Sequence, residues 1–207
     1  MIKAKHNFFI YSFIIFYSFW KIKKHFHHVD ITNKVHDFKQ DTPILLIGNH
    51  ISWWDGFIAQ YLNQTLWKKQ FHFMMLEAQL LKNRFLNFTG GFSIAKKSKD
   101  IVESLAYAQS LLQKKENLVL VFPQGKINSI HQQQIVFEKG IERIIPSTRA
   151  VNIVFMVNLI DYFSEQKPCL HCYLCNYESN DTSHQELQKA FQSFYTECLE
   201  NQSQLAT

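Results

Sequence analysis

His50 and Asp55 stand five residues apart in the segment Gly48-Asn49-His50-Ile51-Ser52-Trp53-Trp54-Asp55, directly after the apolar run that begins at Pro43. A carboxylate bonded to one imidazole nitrogen fixes the tautomer that leaves the other nitrogen free to take a proton, so such a pair suits general-base chemistry. Spacing alone does not select it. With ten His and seven Asp in 207 residues, chance gives roughly 0.3 pairs of this spacing, yet three occur: His25 with Asp30, His36 with Asp41, and His50 with Asp55. Only the third follows a run that reads as a buried strand, and strand ends are where α/β proteins place their chemistry. A plainer reading competes with it. Ser52 and Asp55 have the spacing of a capping box, so Asp55 could cap the next helix while His50 packs on Trp53. On this segment alone the two are equally open.

A second corner shifts the balance. Phe122-Pro123-Gln124-Gly125-Lys126 ends another apolar run with a turn, the kind of geometry that aims backbone N–H groups at an anion or an oxyanion. Two such corners point to one site. Hydrolysis with Ser52 or Ser129 as nucleophile is a weaker alternative, because neither serine lies in a nucleophile elbow. A non-catalytic lipid-binding module is a third class, against which the intact His50 and Asp55 argue. Cys169, Cys172 and Cys175 have a CxxCxxC spacing that invites a metal. They lie in an uninterrupted run that reads as a strand, where Cys172 faces away from the other two. Together with Cys198 they read as small apolar fillers, with no metal site and no disulfide framework.

The elements that must position these residues alternate. Pro43–Gly48 reads as a strand, Ser52–Leu62 as a helix, Phe71–Met75 as a strand, and Glu77–Phe88 as a helix. The turn Thr89-Gly90-Gly91 leads to a short strand at Phe92–Ala95. A helix from Ser98 through Lys115 carries the stripe Ile101, Val102, Leu105, Ala108, Leu111 and Leu112. Strands follow at Asn117–Phe122, Asn152–Asn158 and through the cysteine run, and Ser183 with Glu186 opens a last helix. Continuous apolar strands alternating with amphipathic helices predict one α/β layered domain with a mainly parallel sheet flanked by helices.

Residues 8–20 (FFIYSFIIFYSFW) are interrupted only by Ser12 and Ser18, with lysines on both sides. As a helix this run would be about 20 Å long against roughly 30 Å of bilayer hydrocarbon, too short to span comfortably. Phenylalanine on every face argues against a simple core helix. The expectation is an N-terminal anchor, residues 1–28, ahead of a catalytic domain at 29–207. Its Tyr and Trp would sit at headgroup depth and its lysines on anionic phosphates, each worth roughly 1 kcal/mol there. No small-residue cleavage site follows the run, so the segment is expected to stay attached. The cytoplasmic face of a membrane, such as a bacterial inner membrane, is the expected location.

Charge agrees with that picture. Of the net charge of +5, all is supplied by Lys3, Lys5, Lys21, Lys23 and Lys24, which precede the first acid, Asp30. The rest of the chain is neutral by count, which disfavours nucleic acid as a partner.

At these residues the sequence resembles the lysophosphatidate (1-acylglycerol-3-phosphate) acyltransferases, a glycerolipid acyltransferase family with NHxxxxD and FPEG blocks. Asn49-His50 to Asp55 matches the first block in full, and Phe122-Pro123-Gln124-Gly125 matches the other with Gln for Glu. Gly90 to Lys96 resembles the family's second block with Lys for Arg. Val151–Val157 resembles the fourth without its proline, and Phe137-Glu138-Lys139-Gly140 resembles the segment between them. The resemblance implies a membrane-associated αβ fold with no metal and no cofactor, acyl-CoA or acyl carrier protein as donor, and a lysophospholipid-like acceptor. It implies His50 as base, Asp55 as its orienting partner, the backbone around Gly125 for the oxyanion, and Lys96 or Lys126 for the acceptor's phosphate. Asn49 and Gln124 complete the expected substrate contacts. Because Lys loses the bidentate fork of Arg and Gln the charge of Glu, a phosphate-poor acceptor, such as a glycolipid, an aminolipid or a pigment, is the alternative.

Overall fold

Among the described residues, seven segments pair as strands: β1 (Val29–Lys34), β2 (Ile44–Gly48), β3 (Gln70–Leu76), β4 (Gly91–Ile94), β5 (Asn117–Val121), β6 (Asn152–Asp161) and β7 (Cys169–Asn176). The computed structural model describes residues 1–36, 38–95, 98–148 and 150–205, apart from the side chains of residues 98 and 99. β2 and β5 are buried at every position, as strands without a polar face must be. Ile44 and Leu46 pack into one core layer and Leu45 and Ile47 into the other, the alternation that a pleated strand imposes. Across the sheet the order is β1-β7-β6-β2-β5-β3-β4. Every pairing is parallel except β6 with β7, so the expected mainly parallel α/β domain forms with one antiparallel step.

Helices cover both faces. α1 (Phe8–His25) and α2 (Asp55–Leu62) bring Ile22, Ile58, Ala59 and Leu62 onto the even-numbered side chains of β2 and β6. The short α3 (Glu77–Lys82) follows β3 at the edge, while α4 (Ser98–Leu111) and α5 (His184–Ser203) bring Leu105, Ala108, Phe191 and Phe194 onto the opposite face. The cysteine run is the strand β7. Cys172 faces the α1 and α2 layer, and Cys175 packs towards α5.

Several boundaries differ from expectation for local reasons. The polar stretch before Pro43 contains β1, whose Asp30, Thr32, Asn33 and Lys34 hide a strand signal; it pairs only with β7, at the sheet's edge, where polar side chains deter further pairing. The helix expected at Ser52 starts at Asp55, because Ser52–Trp54 turn around the Asp55 carboxylate. The helix expected over Glu77–Phe88 breaks at Asn83, whose φ of −123° and ψ of 56° leave helical space, and resumes as a 3-10 turn, Arg84–Phe88. α4 stops at Leu111 rather than Lys115, because the Asn117 carboxamide donates to the Leu111 carbonyl at 2.8 Å.

α1 is opened by Asn7, whose side chain accepts from the N–H groups of Phe9 and Ile10. One stripe of it, Ile14, Ser18 and Ile22, is buried at four-residue spacing, and Phe8, Phe9, Phe13, Phe16 and Trp20 face outward. Both ends are tied to the body. Before it, Ile2, Lys5 and Asn7 exchange backbone hydrogen bonds with Ser93, Asn87, Phe88 and Gly90 along β4 and the turn before it. After it, Phe26 is in the core and the His27 N–H donates to the Pro168 carbonyl. Among the described residues no helix is long and apolar enough to cross a membrane.

Candidate active site

β2 and β5 are parallel neighbours with Ile47 opposite Val121, so they end side by side at one edge of the sheet. The residues after each, 49–55 and 122–126, must therefore meet. This register turns two segments some seventy positions apart into one corner.

The first segment closes on a buried carboxylate. Asp55 is fully buried, and its Oδ2 takes the His50 Nδ1 at 2.8 Å, the Ile51 N–H at 2.8 Å and the Ser52 N–H at 2.9 Å. Its Oδ1 accepts from the Ser52 hydroxyl at 2.9 Å. Asp55 therefore ties down the turn before α2 and orients the imidazole at once, while α2 itself has Trp54 at its N-cap and no side-chain cap bond. An Asp carboxylate accepts only, hence the His50 Nδ1 carries the hydrogen and Nε2 is left with its lone pair. The His50 side chain is 24% exposed, and among the described residues Nε2 has no partner. His50 does not pack on Trp53. Its ring lies on Phe122, with centroids 4.3 Å apart and planes 9° from parallel, whereas Trp53 packs at a tilt on Phe57 and is 64% exposed.

The second segment meets the first through its backbone. The Gln124 Oε1 accepts from the His50 main-chain N–H at 2.6 Å, and the carboxamide is buried. Gly125 has φ of +66°, in the left-handed region that favours glycine. The Glu138 N–H donates to the Pro123 carbonyl at 2.7 Å, which brings the Glu138 side chain beside Gly125. Lys126 is exposed at the turn. The Asn128 N–H donates to the His50 carbonyl at 2.9 Å and fixes the loop after the turn.

Of the residues expected to touch substrate, Asn49 faces the interior. It is fully buried, with Nδ2 on the Asn158 carbonyl at 2.9 Å and Oδ1 on the Asn158 N–H at 2.8 Å, a two-point tie from the end of β2 to β6. Lys96 lies outside the described residues. Sequence reasoning missed Phe122 as the platform for His50, although an aromatic at the end of a strand neighbouring the histidine was the available signal. It also missed Asn158, for which the sequence offers none.

The arrangement can accept a proton at the His50 Nε2, beside a Gly125 turn that closes on itself through the Gly125 N–H donating to the Phe122 carbonyl at 3.2 Å. Among the described residues, neither Ser52 nor Ser129 donates to His50. The Ser52 hydroxyl donates to Asp55, not to His50, and the Ser129 hydroxyl oxygen accepts from the His131 N–H.

Comparison with known proteins gives three results. A family model described as acyltransferase matches residues 28–157, which takes in both corners of the site. No curated protein sequence matches the chain. Among solved structures, the fold is similar to the crystal structure of the 1-acyl-sn-glycerophosphate (LPA) acyltransferase PlsC from Thermotoga maritima, at a TM-score of 0.63 and 15% identity. That alignment covers 95% of this chain and 80% of the other. At this identity the likeness is one of fold.

Proposed function

The chain belongs to the acyltransferase family, and from that premise we propose that it moves a fatty acyl group from an acyl thioester to a lipid hydroxyl. The donor is acyl-CoA or acyl carrier protein, and the acceptor is a lysophospholipid of the 1-acylglycerol-3-phosphate type. The observation that carries this reading is the His50–Asp55 pair, with Nδ1 engaged at 2.8 Å and Nε2 open at the end of β2.

His50 Nε2 removes the acceptor's hydroxyl proton as that oxygen attacks the thioester carbonyl carbon. Asp55 keeps the tautomer and stabilises the imidazolium that forms. The carbonyl oxygen becomes an oxyanion beside the backbone of the Gly125 turn. The C–S bond then breaks, the thiolate leaves with the proton held by His50, and the acceptor is released as an ester. A thioester is already activated, so no covalent enzyme intermediate is needed.

α1 supplies the lipid surface in this reading. Its outward Phe8, Phe9, Phe13 and Phe16 are 60–80% exposed, and Lys21 and Lys24 stand over the Trp20 ring at 5.4 and 4.9 Å. With both ends tied to the body, the helix lies flat in one leaflet, its lysines at the phosphates. The cytoplasmic face of a membrane is the proposed location.

A phosphate-poor acceptor is the second reading, favoured by Glu138. Its Oε1 is 3.7 Å from where a Gly125 Cβ would lie, which puts a negative charge beside the corner that would otherwise receive a phosphate. Acyl transfer in detergent, with both donor types and a panel of lysophosphatidate, lysoglycolipid and aminolipid acceptors, separates the two. Turnover of lysophosphatidate supports the first reading and turnover restricted to the others supports the second. Thioester consumption with no acylated lipid contradicts both.

A further inference from the structure

Gln124 holds His50 by its backbone, and the direction of that hydrogen bond fixes the carboxamide. The His50 main-chain N–H can only donate, so the atom facing it at 2.6 Å must be the Gln124 oxygen. The side-chain NH₂ is turned elsewhere, buried and without a partner among the described residues. Gln124 is 3% exposed. Its position ties the end of β5 to the first residue of chemistry after β2, while the Phe122 ring, two residues earlier on the same segment, supports the imidazole face.

A carboxylate at position 124 could accept the same hydrogen bond. Such a charge, bonded to the main-chain N–H of the same residue, would favour the protonated ring. A neutral carboxamide keeps the hydrogen bond without that charge. We propose that Gln124 is the positioning residue of His50, and that its neutrality sets how far down in pH His50 remains a proton acceptor. The inference rests on the reading of His50 as the base.

Among the described residues, the charged and titratable groups on the elements around this corner are the following. Asp55 at the start of α2 is in contact with it. Cys172 on β7 faces Asp55 from the sheet and stays a thiol, its ionisation suppressed by burial and by the charges of Asp30 and Asp55. His25, at the end of α1, packs on Trp54 with ring centroids 4.9 Å apart. Lys126 and Glu138 are exposed on the loop after β5. Among these, only a change at position 124 adds a charge on the His50 backbone itself.

The test measures acyl transfer against pH for the full chain and for the variants Gln124→Glu, Gln124→Met and His50→Ala, with thermal unfolding of each. For Gln124→Glu the acidic limb of kcat/KM moves up by about one pH unit or more. For Gln124→Met, which keeps the volume and loses the oxygen, kcat falls at least about tenfold at unchanged KM, and the limb stays in place. A purely structural role would lower both variants at every pH. If the limb of Gln124→Glu coincides with that of the parent, or if Gln124→Met has parental kcat, the inference is overturned. Should Gln124→Glu not fold, Gln124→Asp takes its place, with the same upward move of the acidic limb expected and an unmoved limb overturning the inference. An active His50→Ala overturns the general-base reading instead, so the two failures are distinct.

Discussion

The imidazole of His50 lies flat on the ring of Phe122, 4.3 Å away between centroids, so two strands adjacent in the sheet share one aromatic contact at the candidate base. With Asp55 on its edge and Phe122 on its face, the ring has one orientation. Stacked pairs of this kind contribute about 0.5–1.5 kcal/mol, so Phe122→Leu should lower kcat about two- to tenfold by freeing the ring. Steady-state kinetics with circular dichroism check this. Unchanged kcat in a folded variant would mean that Asp55 alone positions the imidazole.

Asn49 and Asn158 make a reciprocal pair through the side chain of one and the backbone of the other. Asn49→Ala leaves a buried N–H and a buried carbonyl without partners, a cost of about 2–3 kcal/mol. Chemical denaturation should show that loss. A stable variant with a raised KM would instead make Asn49 a substrate contact.

α1 should separate into two faces by mutation. Phe9→Glu with Phe16→Glu changes exposed positions and should abolish flotation with anionic vesicles while leaving the unfolding midpoint within experimental spread. Ile22→Ala, at a fully buried position, should cost about 2–5 kcal/mol and leave vesicle binding in place. The reverse pattern would contradict a flat interfacial helix.

Acid should destabilise the protein through His72. Burial, with the neighbouring His6 adding to it, pushes this imidazole from 6.5 down to about 3. The unfolded chain takes up a proton near pH 6.5 that the folded chain refuses until about 3. The stability associated with the neutral ring is therefore complete above pH 6.5 and is lost as pH falls towards 3, by up to about 1.4 kcal/mol per pH unit. Urea midpoints at pH 7 and pH 5 should differ less for His72→Met than for the parent. Equal pH dependence in the two proteins would show that other groups govern acid unfolding.

What the sequence disclosed follows from where periodicity is strong. β2, β5 and β6 are apolar runs that can only be interior strands, and two of them carry the site at their ends, so the corner at His50 and Gly125 was legible. β1 was not, because VDITNK has an edge strand's polarity and gains its order from pairing with β7. Nor was the break in the helix after Glu77, which depends on Asn83 and on Asn87 bonding the N-terminal segment. The inward orientation of Asn49 and Gln124 depends on which backbone groups neighbouring strands leave unpaired, a tertiary property that spacing does not encode. The readings of Asp55 as cap and as partner looked equally open in sequence, and the carboxylate holds His50 and the Ser52 turn while α2 carries no side-chain cap.

The account stands on His50 as the base that deprotonates the acceptor. Replacing it by Ala and measuring single-turnover acyl transfer, with thermal unfolding and vesicle flotation on the same preparation, is the direct measurement. Transfer should fall by at least about a hundredfold, while the unfolding midpoint and membrane binding match the parent. A folded, membrane-bound His50→Ala protein that still transfers the acyl group at the parental rate would contradict the mechanism.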